Sequence, residues 1–460
     1  MTCFAHLLRS LAPAWFLGLL TCPGSPAAQT QDDEPKFGSE AFLEDVRVIH
    51  EFYGRADGEE FGWVARKVGD LDGDGVIDFV TSAPSNADAG AGAGRIAVYS
   101  SATGTLLFEA HGRAGERYGN IVTAAGDVNA DGTPDVLIGA PYAGASGSGT
   151  PGPGRIEVLS GRGGEVLLEV TGTDPGESFG LKACGVGDVN GDGHDDLAVG
   201  ATGAEAGAGR VVLVSGKDGA RLYVLEGESA GDRFGSALDA APTTEPPLLI
   251  VGAMSAGERQ VGRAYVYRLQ ENEARFAFTI DPDATSANLG QYFVTVLGDV
   301  DGDGFPDVYA SDWNNAAKGP ATGRVFVHSG GTGERLMTLT GRRAGEAFGT
   351  SVSDAGDVDG DGRADLIVGA WQARDGGVGA GRCSLYSADG THLADYTSVQ
   401  AGDTLGFDAT GLGDVDGDGG VDFLLTSAWS SVAGTKSGRV WIVAGPLPTA
   451  ERDAASDEDE

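Results

Sequence analysis

The sequence predicts an all-β repeat fold of seven units, each made of four short antiparallel strands. Three observations carry this. A nine-residue acidic loop with aspartate at positions 1, 5 and 9, aspartate or asparagine at 3 and glycine at 6 occurs six times, starting at Asp70, Asp127, Asp188, Asp299, Asp357 and Asp414. Most steps between loops are 57 to 61 residues, and the one from Asp188 to Asp299 is 111, about two periods, so a seventh unit lies between them. The segments around the loops are short apolar or alternating runs punctuated by glycine, the pattern of strands and tight turns. The 77 glycines of the chain suit that many turns.

Taken in order, the chain opens with an export signal. Arg9 precedes an apolar run from Leu11 to Leu20, and small residues follow at Ala27 and Ala28. Residues 1–28 therefore form a secretory signal peptide, too short and too early for a membrane span. A lipoprotein-like cleavage before Cys22 is the alternative, though Thr21 fits such a site poorly. Residues 29–45 form a linker, 46–447 the repeat body, and 448–460 an acidic tail expected to be disordered. No later apolar run could cross a bilayer, so the expected location is secreted or cell-surface.

Each unit repeats one order of parts. An aromatic-glycine pair comes first, as in Phe61-Gly62, Tyr118-Gly119, Phe179-Gly180 and Phe348-Gly349. The acidic loop follows, then an apolar strand ending near Gly-Ala (Gly139-Ala140, Gly200-Ala201, Gly369-Ala370). A Gly/Ala-rich stretch leads to Gly-Arg and an alternating strand, such as 95–99 or 324–327, and a last strand such as 336–339 closes the unit. The unit without an acidic loop opens at Phe234-Gly235, continues through 249–253 and ends at 262–267. Its loop has decayed to a segment with Asp239 alone, so no ion is expected there. The last unit ends at Val443 and lacks a fourth strand. Residues 46–54 match the fourth strand and exit of the first unit, 106–112, so 46–53 should complete the last sheet and remove an open edge.

The loop chemistry points to calcium. Hard divalent cations take oxygen ligands, six to eight of them for calcium. The ligand set by position is Asp70, Asp72, Asp74 and Asp78 with the backbone carbonyl of Val76 in the first loop. The second and third loops offer Asp127, Asn129, Asp131, Asp135 with Thr133, and Asp188, Asn190, Asp192, Asp196 with His194. The fifth repeat offers Asp299, Asp301, Asp303, Asp307 with Phe305, and the sixth Asp357, Asp359, Asp361, Asp365 with Arg363. The seventh offers Asp414, Asp416, Asp418, Asp422 with Gly420. About six calcium ions are expected. The loop is shorter than an EF-hand and has strand-like rather than helical flanks, so it belongs in a β-hairpin. Without a cation its carboxylates repel one another, and an apo loop should be loose.

The aromatic-glycine pair and the Gly-Ala-Pro step around the acidic loop resemble FG-GAP repeats, most clearly at Phe61-Gly62 with Ala83-Pro84 and at Tyr118-Gly119 with Gly139-Ala140-Pro141. Such repeats form the head of integrin α chains and occur in many secreted bacterial proteins. The resemblance covers roughly residues 46 to 445 and implies a seven-bladed β-propeller of four-stranded antiparallel blades. It also implies calcium between the first two strands of a blade. The departures are the fourth unit's lost loop and the Leu289-Gly290 and Leu405-Gly406 steps, where leucine replaces the aromatic.

Charge and motifs narrow the function. The formal net charge of −37 argues against nucleic acid or an anionic membrane as partner. After signal removal only Cys184 and Cys383 remain, expected as buried free thiols. The Gly-Ala-Gly-Ala-Gly-Arg run before Ile96 is followed by a strand, not a helix, so it is a turn rather than a phosphate loop. The recurring arginines, Arg95 to Arg439, are expected as structural partners of nearby acids or carbonyls. No HExxH motif, nucleophile elbow or P-loop is present, and no enzyme is expected. The leading expectation is a secreted calcium-binding adhesion or ligand-binding module for an extracellular protein or glycan. The alternative is a lectin-like or carbohydrate-degrading protein. The ligand face should lie opposite the calcium loops, where Tyr142, Trp313, Trp371 and Trp429 follow the second strands. The competing expectation for these rings is a plug in the mouth of the central channel.

Overall fold

Each repeat becomes one sheet because its runs are short and its turns are tight. In the computed structural model, which describes residues 41–145, 151–242, 246–271 and 273–447, these sheets are the blades of a seven-bladed β-propeller. The expected signal peptide and acidic tail, and residues 29–40 of the linker, lie outside the described residues. Blade 1 contains strands Ala65–Gly69, Asp78–Ala83, Arg95–Tyr99 and Leu106–His111, hydrogen-bonded in that order from the axis outward. All pairings within the blades are antiparallel. The one short helical segment among the described residues, Ala204–Gly207, has Glu205 and Ala206 at φ 48° and 57° and is in effect a turn.

Burial follows position in the blade. The second strands are buried at every residue, as in Asp78–Ala83, Asp135–Ala140 and Asp365–Ala370, because both faces pack on neighbouring sheets. Outer strands alternate between exposed and half-buried residues, as in Leu106–His111. The apolar core is the set of layers between blades; one runs unbroken from Val80 and Val98 through Val136 and Ile138 to Val199 and Val212.

The ring closes as the sequence predicts. Strand Val48–Tyr53 pairs with Arg439–Val443 and completes the last blade, with Tyr53 opposite Arg439 and Glu51 opposite Trp441. The chain just before it is also fixed. Phe42 bridges Ser398 beside the outer strand of blade 6, is 6% exposed, and packs on Trp441 with ring centroids 5.5 Å apart. The Glu44 carboxylate accepts hydrogen bonds from the Thr397 amide at 2.7 Å and its hydroxyl at 2.8 Å.

Neighbouring blades are joined by a repeated backbone contact. The glycine of each Gly-Arg step approaches the residue that opens the next repeat, as in Gly154 with Phe179, Gly209 with Phe234 and Gly438 with Phe61. Leucine makes the same bridge at Gly262–Leu289 and Gly381–Leu405, so the two altered steps keep the joint. A Cβ at Gly209 would lie 2.2 Å from the Phe234 carbonyl oxygen, and φ there is +82°, so only glycine fits.

Candidate metal loops, the opposite face and the central channel

The acidic loops connect first and second strands and so share one face of the propeller. Each is built around its ninth residue. Asp78 has no exposed surface and accepts from the amides of Leu71 at 2.8 Å and Ser101 at 3.1 Å, tying the loop to the turn after the third strand. Asp135, Asp196, Asp307, Asp365 and Asp422 make the equivalent pair of bonds. Burial pushes these carboxyls up to about 6, and Asp422 to about 7, although the amide bonds pull the other way.

The remaining ligand candidates wrap the same centre. Asp70 accepts from the amides of Gly73 and Gly75 at 2.7 and 2.9 Å, and Asp188, Asp299, Asp357 and Asp414 do likewise. Asp127 accepts from Asp131 and Gly132. Residue 7 of every loop, from Val76, Thr133 and His194 to Phe305, Arg363 and Gly420, donates its amide to the position-5 carboxylate. Four loops gather three carboxylates with oxygens within 4.8 Å of one another. These are Asp70, Asp72 and Asp78; Asp299, Asp301 and Asp303; Asp357, Asp359 and Asp361; and Asp414, Asp416 and Asp422. In the second and third loops Asn129 and Asn190 fill the third position, and their side-chain oxygens accept from the amides of Asp131 and Asp192 as an aspartate would. Basic side chains approach several loops: Arg162 bonds Asp131, Arg363 bonds Asp361, and Arg47 bonds both Asp416 and Asp418.

The opposite face carries the expected aromatics, but only two of the four meet. Trp371 and Trp429 lie with ring centroids 4.9 Å apart. Trp63 and Phe407, each the residue after an aromatic- or leucine-glycine step, complete a half-buried cluster; Phe407 is 4.9 Å from Trp63, 5.6 Å from Trp429 and 5.8 Å from Trp371. Trp313 is half-buried outside it, and Tyr142 is 45% exposed. The Trp429 indole donates to Glu60 at 3.3 Å, and the Lys436 ammonium lies 5.0 Å from its ring centroid.

The recurring arginines are structural. Arg155 donates to Glu116 at 2.9 Å, Arg210 pairs with Glu177, and Arg382 reaches Glu346 at 3.4 Å. In each case the acid precedes the aromatic of the same repeat by two residues, so the pair locks the blade entrance.

Comparison with known families agrees with this architecture. The FG-GAP repeat matches residues 118–157 and 179–214, and the FG-GAP-like repeat matches residues 299–368. The chain carries FG-GAP repeats. Its curated relatives include integrin alpha-PS5 of Drosophila melanogaster, 36% identical over 184 residues, which are 35% of this chain and 17% of the relative. Human integrin alpha-E is 30% identical over 173 residues, 34% of this chain and 14% of the relative. Chicken (Gallus gallus) integrin alpha-V is 30% identical over 217 residues, 44% of this chain and 20% of the relative. These matches span a fifth or less of the length of those relatives. No helix among the described residues is long and apolar enough to cross a membrane.

The seven blades enclose a channel of about 620 Å³ lined by their innermost strands. One residue per blade, paired with Val80, Leu137, Ala198, Ile250, Tyr309, Ile367 or Leu424 of the second strand, forms a polar ring: Arg66, Thr123, Cys184, Asp239, Thr295, Ser353 and Thr410. Asp408 pairs with Arg66, and Asp239 accepts from the Val296 amide at 2.9 Å. Lys182 enters the same cavity, its ammonium 5.9 Å from the ring centroids of both Tyr292 and Phe293. Burial and the nearby Arg66 lower its pKa to about 8. The sequence singled out only Cys184, as a buried thiol, and Asp239, as the remnant of a lost loop; Asp239 lies instead in the strand Phe234–Ala241, and only ring closure shows that all these residues face one axis.

Proposed function

We propose that this chain is an exported, calcium-stiffened adhesion or ligand-binding module rather than an enzyme. The observation that carries the proposal is the convergence of three carboxylates in each of four equivalent loops on one face. The likeness to integrin alpha chains supports the adhesion reading. About six calcium ions would be held by Asp70, Asp127, Asp188, Asp299, Asp357, Asp414 and the partners of each in its loop, with residue 7 offering a carbonyl. Closing a carboxylate cluster around an ion relieves its repulsion and stabilises the folded state alone.

The ligand, an extracellular protein or a glycan, would sit on the face opposite the loops, over Trp63, Trp371, Phe407 and Trp429. Four half-buried rings in contact offer a rigid, amphipathic anchor. Sugar stacking on the same rings is the second reading, favoured by their number and partial exposure. The test is a screen of the calcium-loaded protein against glycans and against matrix and cell-surface proteins, repeated with a Trp371→Ala, Trp429→Ala double variant. Loss of a hit with an unchanged melting temperature supports the ligand face. A hit that survives both changes rejects it.

A further inference from the structure

The central channel is not used by either reading, and it is a built cavity. Its walls combine hydroxyls (Thr123, Thr410), apolar side chains (Ile121, Val294) and the ring of Tyr292. Its charges are unequally partnered. Arg66 is held by Asp408, which also accepts from the Ala65 amide at 3.1 Å. Asp239 is satisfied by a backbone amide. Lys182, among the described residues, has ring contacts but no ion pair or hydrogen bond. Asp408 attracts the Lys182 ammonium but is bonded to Arg66, so Lys182 has no ion pair of its own, and a bound anion would offset the cost of its partial burial. The lining also holds exposed Lys67 and the carboxylates Asp195, Asp239 and Asp354, so a single half-buried cation without an ion pair, beside apolar walls, favours an anion with one charge and an apolar body.

The geometry points to the central channel as a binding site for a small monocarboxylate, with Lys182 as its counter-ion and the Thr123 hydroxyl as a hydrogen-bond donor, the Thr295 hydroxyl being bonded to Val352 and those of Ser353 and Thr410 to each other. Ile77, Pro134, Asp195 and Pro306 of the acidic loops line the channel, but none of the proposed calcium ligands and none of the four clustered rings does, so the site survives or fails independently of the adhesion reading. Benzoate is a suitable probe, since it carries one charge on an apolar body and does not strip calcium. Calorimetric titration of the whole protein in calcium buffer should show benzoate binding, retained by Lys182→Arg and at least about tenfold weaker in Lys182→Met. The uncharged isostere benzamide should not bind detectably. A crystal soaked in 4-bromobenzoate locates the bromine by anomalous scattering without any variant, and so decides the matter even if Lys182→Met fails to fold. Bromine in the channel supports the site. No benzoate binding, equal binding of benzamide, an unchanged affinity in a folded Lys182→Met, or bromine only elsewhere would overturn it.

Discussion

At the scale of single residues, buried aspartates set the chemistry of the loops. The six position-9 carboxyls have folded pKa values near 6 or 7, against about 4 in an unfolded chain. Their protonated forms are favoured by the fold. In chelator their contribution is therefore full below about pH 4 and is lost as the pH rises through 6 to 7. Asp283 works in the opposite sense. Its pKa is about 2, held down by hydrogen bonds from Thr285 and Arg324 against the effect of burial, so its contribution is lost only toward pH 2. The chelated protein should melt progressively lower from pH 4.5 to 7.5, and calcium should flatten that slope. A melting temperature that rises across this window in chelator would contradict the assignment. Within one loop, Asp361→Ala should remove one calcium from the count, by equilibrium dialysis or mass spectrometry. Asp239→Ala should remove none, because Asp239 lines the channel.

At the scale of elements, the joints between blades and the closing strand matter most. Gly209→Ala places a Cβ against the Phe234 carbonyl, whereas Gly257→Ala, at φ +84°, meets nothing within 4 Å. Backbone strain alone costs about 1–3 kcal/mol. Denaturant titration should show both variants destabilised and Gly209→Ala clearly the worse; equal losses would mean that the joint adapts. Deleting the chain up to residue 54 removes a strand from the last blade, the Phe42–Trp441 contact, and the Arg47 bonds to the acidic loop of the seventh blade. That truncation should aggregate or melt well below the full chain by differential scanning calorimetry. An intact melting profile would show that the other sheets hold the ring closed. The closing strand was legible in the sequence because its alternation copies that of 106–112. The clip of Phe42 and Glu44 onto blade 6 was not, since its partners lie more than 350 residues away.

At the scale of the whole molecule, calcium should act as a shared brace. The expected outcome of a thermal melt is a large upward shift with calcium and a smaller one with magnesium, which demands tighter octahedral geometry. An unchanged melting temperature in chelator would remove the loops from any stabilising role. On the other face, the aromatic cluster was only half visible beforehand. Trp371 and Trp429 follow their second strands and could be named, but Trp63 and Phe407 belong to the entrances of different blades. Tyr142 and Trp313 share the sequence position of the first pair but not its place, because the cluster forms only where blades 6, 7 and 1 meet.

The sequence by itself determined the repeat number, the strand order within each blade, the six acidic loops and the strand exchange at closure. All of these are local: spacing, alternation and turn residues are repeated often enough to cancel noise. The tertiary structure alone decided which residues share the axis and which rings touch. Arg66, Lys182, Asp239 and Asp408 come from four blades, and no local pattern relates them. They become neighbours because seven nearly equal sheets, each turning its innermost strand to the axis, must close into a ring, and closure turns sequence distance into a common centre.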